Sequence, residues 1–320
     1  MVDGVLIIDK PPGLTSHDVV ARVRRSLSER RIGHTGTLDP FATGVLVMLV
    51  GRATRLAQFL SNAEKEYEAS VRLGFATDTG DRTGKRLESP RAQNLADGIV
   101  QTWSEHEIEA ALAGLRGEIE QVPPMYSAKK VQGKKLYELA RRGVEIERKA
   151  LPVTIRELEV LKRGEGVLIE DKEDGTKELR VRVRCSAGTY IRTLAESIGE
   201  RLGTLAHLSS LRRTRAGDFR IEDAIGLDEL KERGEAGEAE TIILSADAAL
   251  SRMPFVHLTE DEARQALHGV ALRLRAEMPG GWRENEPVRM RDSNGRLIAI
   301  GFYDAASGSL HPRVVLSPEK

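Results

Sequence analysis

The sequence is short of several things at once. It has one cysteine, Cys185, so no disulfide can form within the chain, and a reducing compartment is expected. Aromatic residues make up only 4% of it, with two tryptophans and five tyrosines. It has no net charge, since 49 Lys and Arg balance 49 Asp and Glu, so the total charge points to no acidic or basic partner. No apolar run approaches the ~20 residues of a membrane span. The opening Met1-Val2-Asp3-Gly4 lacks the basic and apolar regions of a signal peptide, so a cytoplasmic protein is expected. Seven histidines and one cysteine show no CxxC or HExxH spacing, so no metal site is expected. No GxGxxG follows a strand and no GxSxG elbow is present. Gly80-Asp81-Arg82-Thr83-Gly84-Lys85 is one residue short of a phosphate loop, and Arg86 stands where that loop needs Ser or Thr.

What is present suits a globular protein: 40% hydrophobic and 31% charged residues in a chain of 320. At roughly 100–200 residues per domain, two domains are expected, with a boundary near 250 that gives 1–250 and 251–320. Val5–Ile8 reads as a buried strand stopped by Pro11-Pro12-Gly13. Ser16 is placed to cap a helix whose apolar stripe is Val19, Val20, Val23 and Leu27. Strands are expected at Val45–Val50 and 67–75, and helices at 105–116 and along Ile191, Leu194, Ala195, Ile198 and Leu202. Arg180 to Arg184 alternates as a half-buried strand does, leaving three arginines on one face. Residues 163–178 read as a hairpin tip, 80–104 as a loop and 227–240 as a charged surface segment. Beyond 251 come one helix, Glu260–His268, and β-like runs at Val288–Met290 and Leu297–Tyr303. Interspersed helices and hairpins predict the α+β class with a largely antiparallel sheet. Charge is uneven despite its zero sum: residues 125–150 hold eight basic against three acidic groups, and 180–220 nine against three. Such stretches suit either a phosphate-binding face or ordinary solvated surface.

The densest segment is Gly33-His34-Thr35-Gly36-Thr37-Leu38-Asp39-Pro40-Phe41-Ala42-Thr43-Gly44. Its glycines permit close approach of a ligand to the backbone, and Pro40 restricts Asp39 to extended conformations. Taken alone, Asp39 is more simply read as a turn aspartate.

The segment nevertheless resembles, at every motif position, the GxxGTLDPxATGxL motif of the TruB family of tRNA pseudouridine synthases. Further similar segments follow in family order: Lys65-Glu66-Tyr67, Thr77–Asp81, Val122–Lys130, Gly188–Arg192 and Leu208–Thr214, with Asp9–Ser16 ahead of them. The resemblance covers residues 1 to about 220 and extends, more faintly, to a C-terminal module like a PUA domain. It implies a pseudouridine synthase fold plus a small β-rich PUA-like domain, and isomerisation of a uridine in the T loop of tRNA, at position 55, without a cofactor. Asp39 is implied as the catalytic carboxylate. Arg192 would pair with it, Tyr67 would stack on the flipped base, Tyr190 would sit near C5 and Leu211 would close the apolar side. His34 would enter the space left by everted nucleotides, and Lys10 would support the site or a phosphate. Arg212 and Arg213 are candidate phosphate contacts. Lys129 and Lys130, with Lys134 and Lys135, are either phosphate contacts or solvated lysines. The implied partner is a tRNA stem-loop, bound by a monomer with no obligatory protein partner and no membrane. A guide-RNA-dependent relative and an RNA-binding protein with a vestigial site are the alternatives.

Overall fold

In the computed structural model, residues 3–316 are described apart from 88–101, 128, 132, 141, 145, 163, 165, 167 and 275–280. Most of the expected 80–104 loop therefore lies outside the described residues.

Two sheets organise the chain. The larger has ten strands, in the order β1 (Gly4–Lys10), β3 (Thr43–Val50), β11 (Ala206–Ala216), β4 (Lys65–Leu73), β10 (Lys177–Cys185), β8 (Leu151–Val160) and β5 (Gly117–Gln121). On its flanks β2 (Ile32–Thr35) pairs with β3, β9 (Ile169–Asp171) with β10 and β12 (Phe219–Arg220) with β11. A small ribbon joins β6 (Lys130–Val131) to β7 (Lys134–Lys135). Every pairing in the large sheet is antiparallel except a short parallel contact between β11 and β3, as the α+β expectation requires.

The apolar runs explain the layering. β3 is buried along nearly its whole length, as strands covered on both faces are. Leu46 and Met48 pack with Leu6, Ile8 and the helix stripe Val19, Val20 and Val23. Val45, Val47 and Leu49 face the other way, toward Val5, Ile7 and Phe219. β10 alternates as expected: Leu179, Val181 and Val183 point inward. Its three outward arginines do not form a free basic face. Arg180, Arg182 and Arg184 pair with Glu68, Glu159 and Glu157 on the neighbouring strands, exposed pairs each worth under ~1 kcal/mol.

Two expectations are corrected. Thr15, not Ser16, caps the Ser16–Ser26 helix, through a capping box with Asp18. Ser16 is drawn inward instead, donating to the Leu38 carbonyl at 3.2 Å and accepting the Leu38 N–H at 3.0 Å. The segment 227–240 is not merely surface: it contains the Leu227–Glu235 helix, whose Leu230 is fully buried against the first helix's core. A single buried apolar residue among charges leaves no periodic signal.

The second sheet runs β13 (Phe255–His257), β15 (Pro287–Arg291), β16 (Leu297–Asp304), β17 (Ser309–Val315), β14 (Leu272–Arg273), with the Glu260–Leu267 helix packed on it. It meets the first through an apolar cluster of Ala53, Leu56, Leu250, Ile300, Val314 and Leu316. Arg52 donates to the Leu316 carbonyl at 2.9 Å across the same seam. Among the described residues no helix is long and apolar enough to cross a membrane.

The β3–β11 contact depends on Gly44, paired with Arg213. Its φ is +99°, and a Cβ there would lie 2.2 Å from the Arg213 carbonyl oxygen. Gly44→Ala therefore combines backbone strain with a main-chain clash and is expected to cost about 3 kcal/mol or more. Urea unfolding checks this; a loss below about 1 kcal/mol would show that the crossing relaxes freely.

Candidate active site

The Asp39 loop joins β2 to β3 and is pinned on several sides. Ser16 holds Leu38, as above. Gly13 N–H donates to the Pro40 carbonyl at 2.8 Å. Lys10, fully buried, donates to the Pro11 and Pro40 carbonyls at 3.0 and 3.2 Å. The opening Asp9–Ser16 segment thus serves as the frame for the loop that carries Asp39.

Across from it, the Ile191–Arg201 helix presents Arg192 in its first turn. The Arg192 side chain is 5% exposed and that of Asp39 32%. Arg192 Nε meets Asp39 Oδ2 at 2.9 Å and Nη2 donates to Oδ1 at 3.2 Å, a two-point grip that fixes carboxylate orientation. Nη1 donates to the Thr79 carbonyl at 3.0 Å and Nη2 to the Tyr126 carbonyl at 2.7 Å. Asp81 Oδ2 lies 3.8 Å from Nη1. Asp81 is held from its other oxygen, Oδ1 accepting from the Thr83 N–H at 2.8 Å and from the Thr79 hydroxyl at 3.0 Å.

Electrostatics here are those of a desolvated site. Burial pushes the Asp39 carboxyl above the ordinary aspartate value; Arg192 opposes that shift, Asp81 adds to it and Lys10 opposes it. Burial also draws the Lys10 ammonium down to about 8, against the pull of Asp39.

Asp39 and Arg192 form one side of a cavity of about 260 Å³ that Tyr67, Tyr190, Leu211 and Arg213 also line. It is a little smaller than the roughly 300–1,000 Å³ of drug-sized pockets, so it has room for one small group. Tyr67 comes from β4 and Leu211 from β11, which pair side by side. Burial raises the pKa of the Tyr67 hydroxyl, against the opposing pull of Arg213, which keeps it protonated. Lys65 lines the same cavity. It donates to the Ser61 and Ala63 carbonyls at 2.5 and 2.6 Å, and burial, with Arg213 acting in the same sense, lowers it to about 8.

The structure brings Asp39, Tyr67, Tyr190, Arg192 and Leu211 together. It separates the basic candidates. Arg213 is 1% exposed and donates to the Val45 carbonyl at 2.7 Å and the Gly36 carbonyl at 3.0 Å. It is a pillar of the cavity wall, not an exposed phosphate contact. Lys10 likewise faces inward. Arg212 is part-exposed but bound at two points to Asp9, at 3.1 and 2.7 Å. Lys129 lines the cavity; the side chains of Lys130, Lys134 and Lys135 lie outside the described residues. His34 lines a second cavity of about 510 Å³ on the other side of Asp39. Its ring lies edge-on to His17, centroids 5.9 Å apart. Its Nδ1 is buried without a partner. Burial, His17 and Arg213 all lower its pKa, so it is neutral at pH 7.

Sequence reasoning assigned no role to Asp81 or Lys65, and gave Ser16 only the role of a helix cap. Asp81 sits in a Thr-Asp-Thr-Gly-Asp turn, where an aspartate is commonplace. Ser16 beside a capping threonine reads as a cap. Lys65 reads as a strand-end charge. Among the described residues no cluster of three or more His, Cys, Asp or Glu could hold a metal ion.

Two family models match consecutive stretches of the chain. TruB family pseudouridylate synthase (N terminal domain) matches residues 24–191, and tRNA pseudouridylate synthase B C-terminal domain matches 192–251. The chain is 44% identical to tRNA pseudouridine synthase B of Bacillus thuringiensis (strain Al Hakam), over 98% of this chain and 97% of that one. It is 46% identical to tRNA pseudouridine synthase B of Geobacillus thermodenitrificans (strain NG80-2), over 86% of this chain and 87% of that one. Among solved structures it is similar to an H/ACA RNP bound to a substrate RNA containing 2′-deoxyuridine: TM-score 0.71, 26% identity, covering 98% of this chain and 85% of that one. A Cbf5-Nop10-Gar1 complex aligns with TM-score 0.68 and 28% identity, covering 99% and 84%. A family model that spans more than half of the sequence, and relatives this close along almost all of it, give one answer: the chain belongs to the TruB family and is a pseudouridine synthase, an isomerase.

Proposed function

We propose that this synthase isomerises the uridine at position 55 in the T loop of tRNA, with Asp39 as its catalytic carboxylate and no cofactor. The observation that carries the reading is the Asp39 carboxylate held at two points by Arg192 beside a cavity lined by two tyrosines and Leu211. The tRNA substrate follows from the names of relatives 44–46% identical. Those relatives are closer than the ribonucleoprotein components at 26–28%, which favours an enzyme acting on naked tRNA; the reading is completed by a cytoplasmic monomer that needs no protein partner.

The reaction breaks the N1–C1′ bond of uridine, turns the uracil and joins C5 to C1′. The C5 proton is lost and N1 gains one, so the product is an isomer and nothing is oxidised. A carboxylate serves by adding to C1′ or by taking a proton from the sugar; both require it ionised. Tyr67 supplies a flat apolar face for the extruded base, Tyr190 stands beside C5, and Leu211 excludes water. His34, neutral, enters the opened RNA loop from the neighbouring cavity. Lys129, Lys130 and Arg212 contact the RNA backbone; Lys10 and Arg213 act from within the wall. Residues 1–250 carry the chemistry, and the PUA-like 251–320 grips the RNA.

Asp39→Asn is expected to lower the single-turnover rate by at least about a thousandfold. RNA affinity should stay within about threefold, because it comes from many phosphate and shape contacts. Appreciable pseudouridine formation by this variant would falsify the catalytic assignment.

Because Asp39 must be ionised and its pKa is raised, the rate should fall as pH drops toward a point above the ordinary aspartate value. Lys10→Met removes a positive charge that favours the ionised form, so the acid limb should move to higher pH. A limb that stays put or moves down contradicts this electrostatic account.

Shape recognition predicts that an isolated T-stem hairpin is a good substrate and a linear strand of the same sequence a poor one. RNA duplexes hide their deep groove from side chains, so loop shape must carry specificity. His34→Ala should slow the hairpin reaction without changing the melting temperature. Equal rates on hairpin and linear strand would sink shape recognition while sparing Asp39.

A further inference from the structure

The Ile191–Arg201 helix begins at Tyr190, which has no side-chain cap of its own making. In a capping box, the residue three positions into the helix reaches back to accept the N-cap N–H. Here that position is Thr193, and the acceptor comes from elsewhere. Gln121, at the end of β5 and 3% exposed, accepts the Tyr190 N–H at Oε1, 2.9 Å away. Its Nε2 donates to the Tyr190 carbonyl at 3.3 Å. A strand 69 residues away in sequence thus supplies half of the box and holds both main-chain polar groups of one residue.

The residue held is not incidental. The Tyr190 side chain lines the cavity beside Asp39, and Arg192 follows two residues on. The chain leaving Gln121 also returns to this helix, because the Tyr126 carbonyl accepts from Arg192 at 2.7 Å. Only an amide side chain of this length both accepts and donates here; glutamate lacks the donor and asparagine the reach.

We propose that Gln121 is a positioning residue for the isomerisation, setting the place of Tyr190 in the cavity by clamping its main-chain N–H and carbonyl. It touches neither base nor sugar and acts through Tyr190. The inference rests on the proposed active site around Asp39. Its physical basis is that a displacement of about 1 Å in a group lining the reaction site can cost on the order of a hundredfold in rate, while a buried hydrogen bond lost at a helix start leaves overall folding largely intact.

The test is single-turnover pseudouridine formation at saturating T-stem hairpin, with RNA affinity measured separately, for Gln121→Met, Tyr190→Phe and the double variant. Gln121→Met should slow the reaction about 10–100-fold with affinity within about twofold of the parent. In the Tyr190→Phe background the same change should cost clearly less, since effects that run through one residue do not multiply. An unchanged rate, an affinity that falls in step with the rate, or losses that multiply would each overturn the proposal. Should Gln121→Met fail to melt cooperatively, Gln121→Glu takes its place. It keeps the volume and the acceptor for the Tyr190 N–H but lacks the donor, and the same rate loss is expected. Asp39→Asn, run alongside, separates the two readings. If it turns over, the proposed catalyst is wrong; if it is dead while the Gln121 variants match the parent, only the positioning role fails.

Discussion

The architecture turns on one buried guanidinium. Arg192 contacts the Asp39 loop, the Thr79 and Tyr126 main chains and the Asp81 carboxylate, so three distant segments of the sequence converge on one side chain. Removing one member of such a buried pair typically costs about 3–5 kcal/mol, because the other charge is left uncompensated. Nearby geometry follows from this. Asp39 is oriented because Arg192 is fixed, and Arg192 is fixed because two carbonyls accept from it and a second carboxylate lies 3.8 Å away.

Around that pair the cavity holds more buried positive charge than one carboxylate can neutralise. Lys10, Lys65 and Arg213 are all buried. Main-chain carbonyls balance much of it: two accept from Lys10, two from Lys65 and two from Arg213. Both lysines lie near 8, below the ordinary lysine value of 10.5, so between the two the unfolded chain holds protons that the folded one does not, and folding gains stability as pH rises through that window. The fold accepts this cost below pH 8 at the place where it holds a carboxylate ready, a pattern common where groups are tuned for chemistry.

Much of this was legible in the sequence, and the gaps have physical causes. The apolar run of β3 and the alternation of β10 gave their strands because burial on two faces or one leaves a direct pattern. The convergence of Asp39, Tyr67, Tyr190, Arg192 and Leu211 came through the family motifs, not through periodicity. Adjacent residues that look alike defeated the reading: Arg212 faces Asp9 and partial solvent, while Arg213, on the other side of the same strand, is sealed in the wall. Thr15 and Ser16 likewise divide capping and loop-pinning between them. Leu230, Asp81 and Gln121 gave no signal, since a lone apolar residue, a turn aspartate and a strand-end glutamine gain meaning only from what the fold places opposite them.

In the proposed mechanism Arg192 holds Asp39 ionised for isomerisation. The most direct measurement is a carbon-13 NMR titration of the Asp39 carboxyl in the parent protein and in Arg192→Lys, set beside the single-turnover rate at each pH. The account predicts that the parent carboxyl titrates above the ordinary aspartate value, that loss of the two-point grip moves it higher, and that the rate follows the ionised fraction in both. A rate independent of Asp39 ionisation, or a carboxyl whose titration ignores the loss of Arg192, would contradict it.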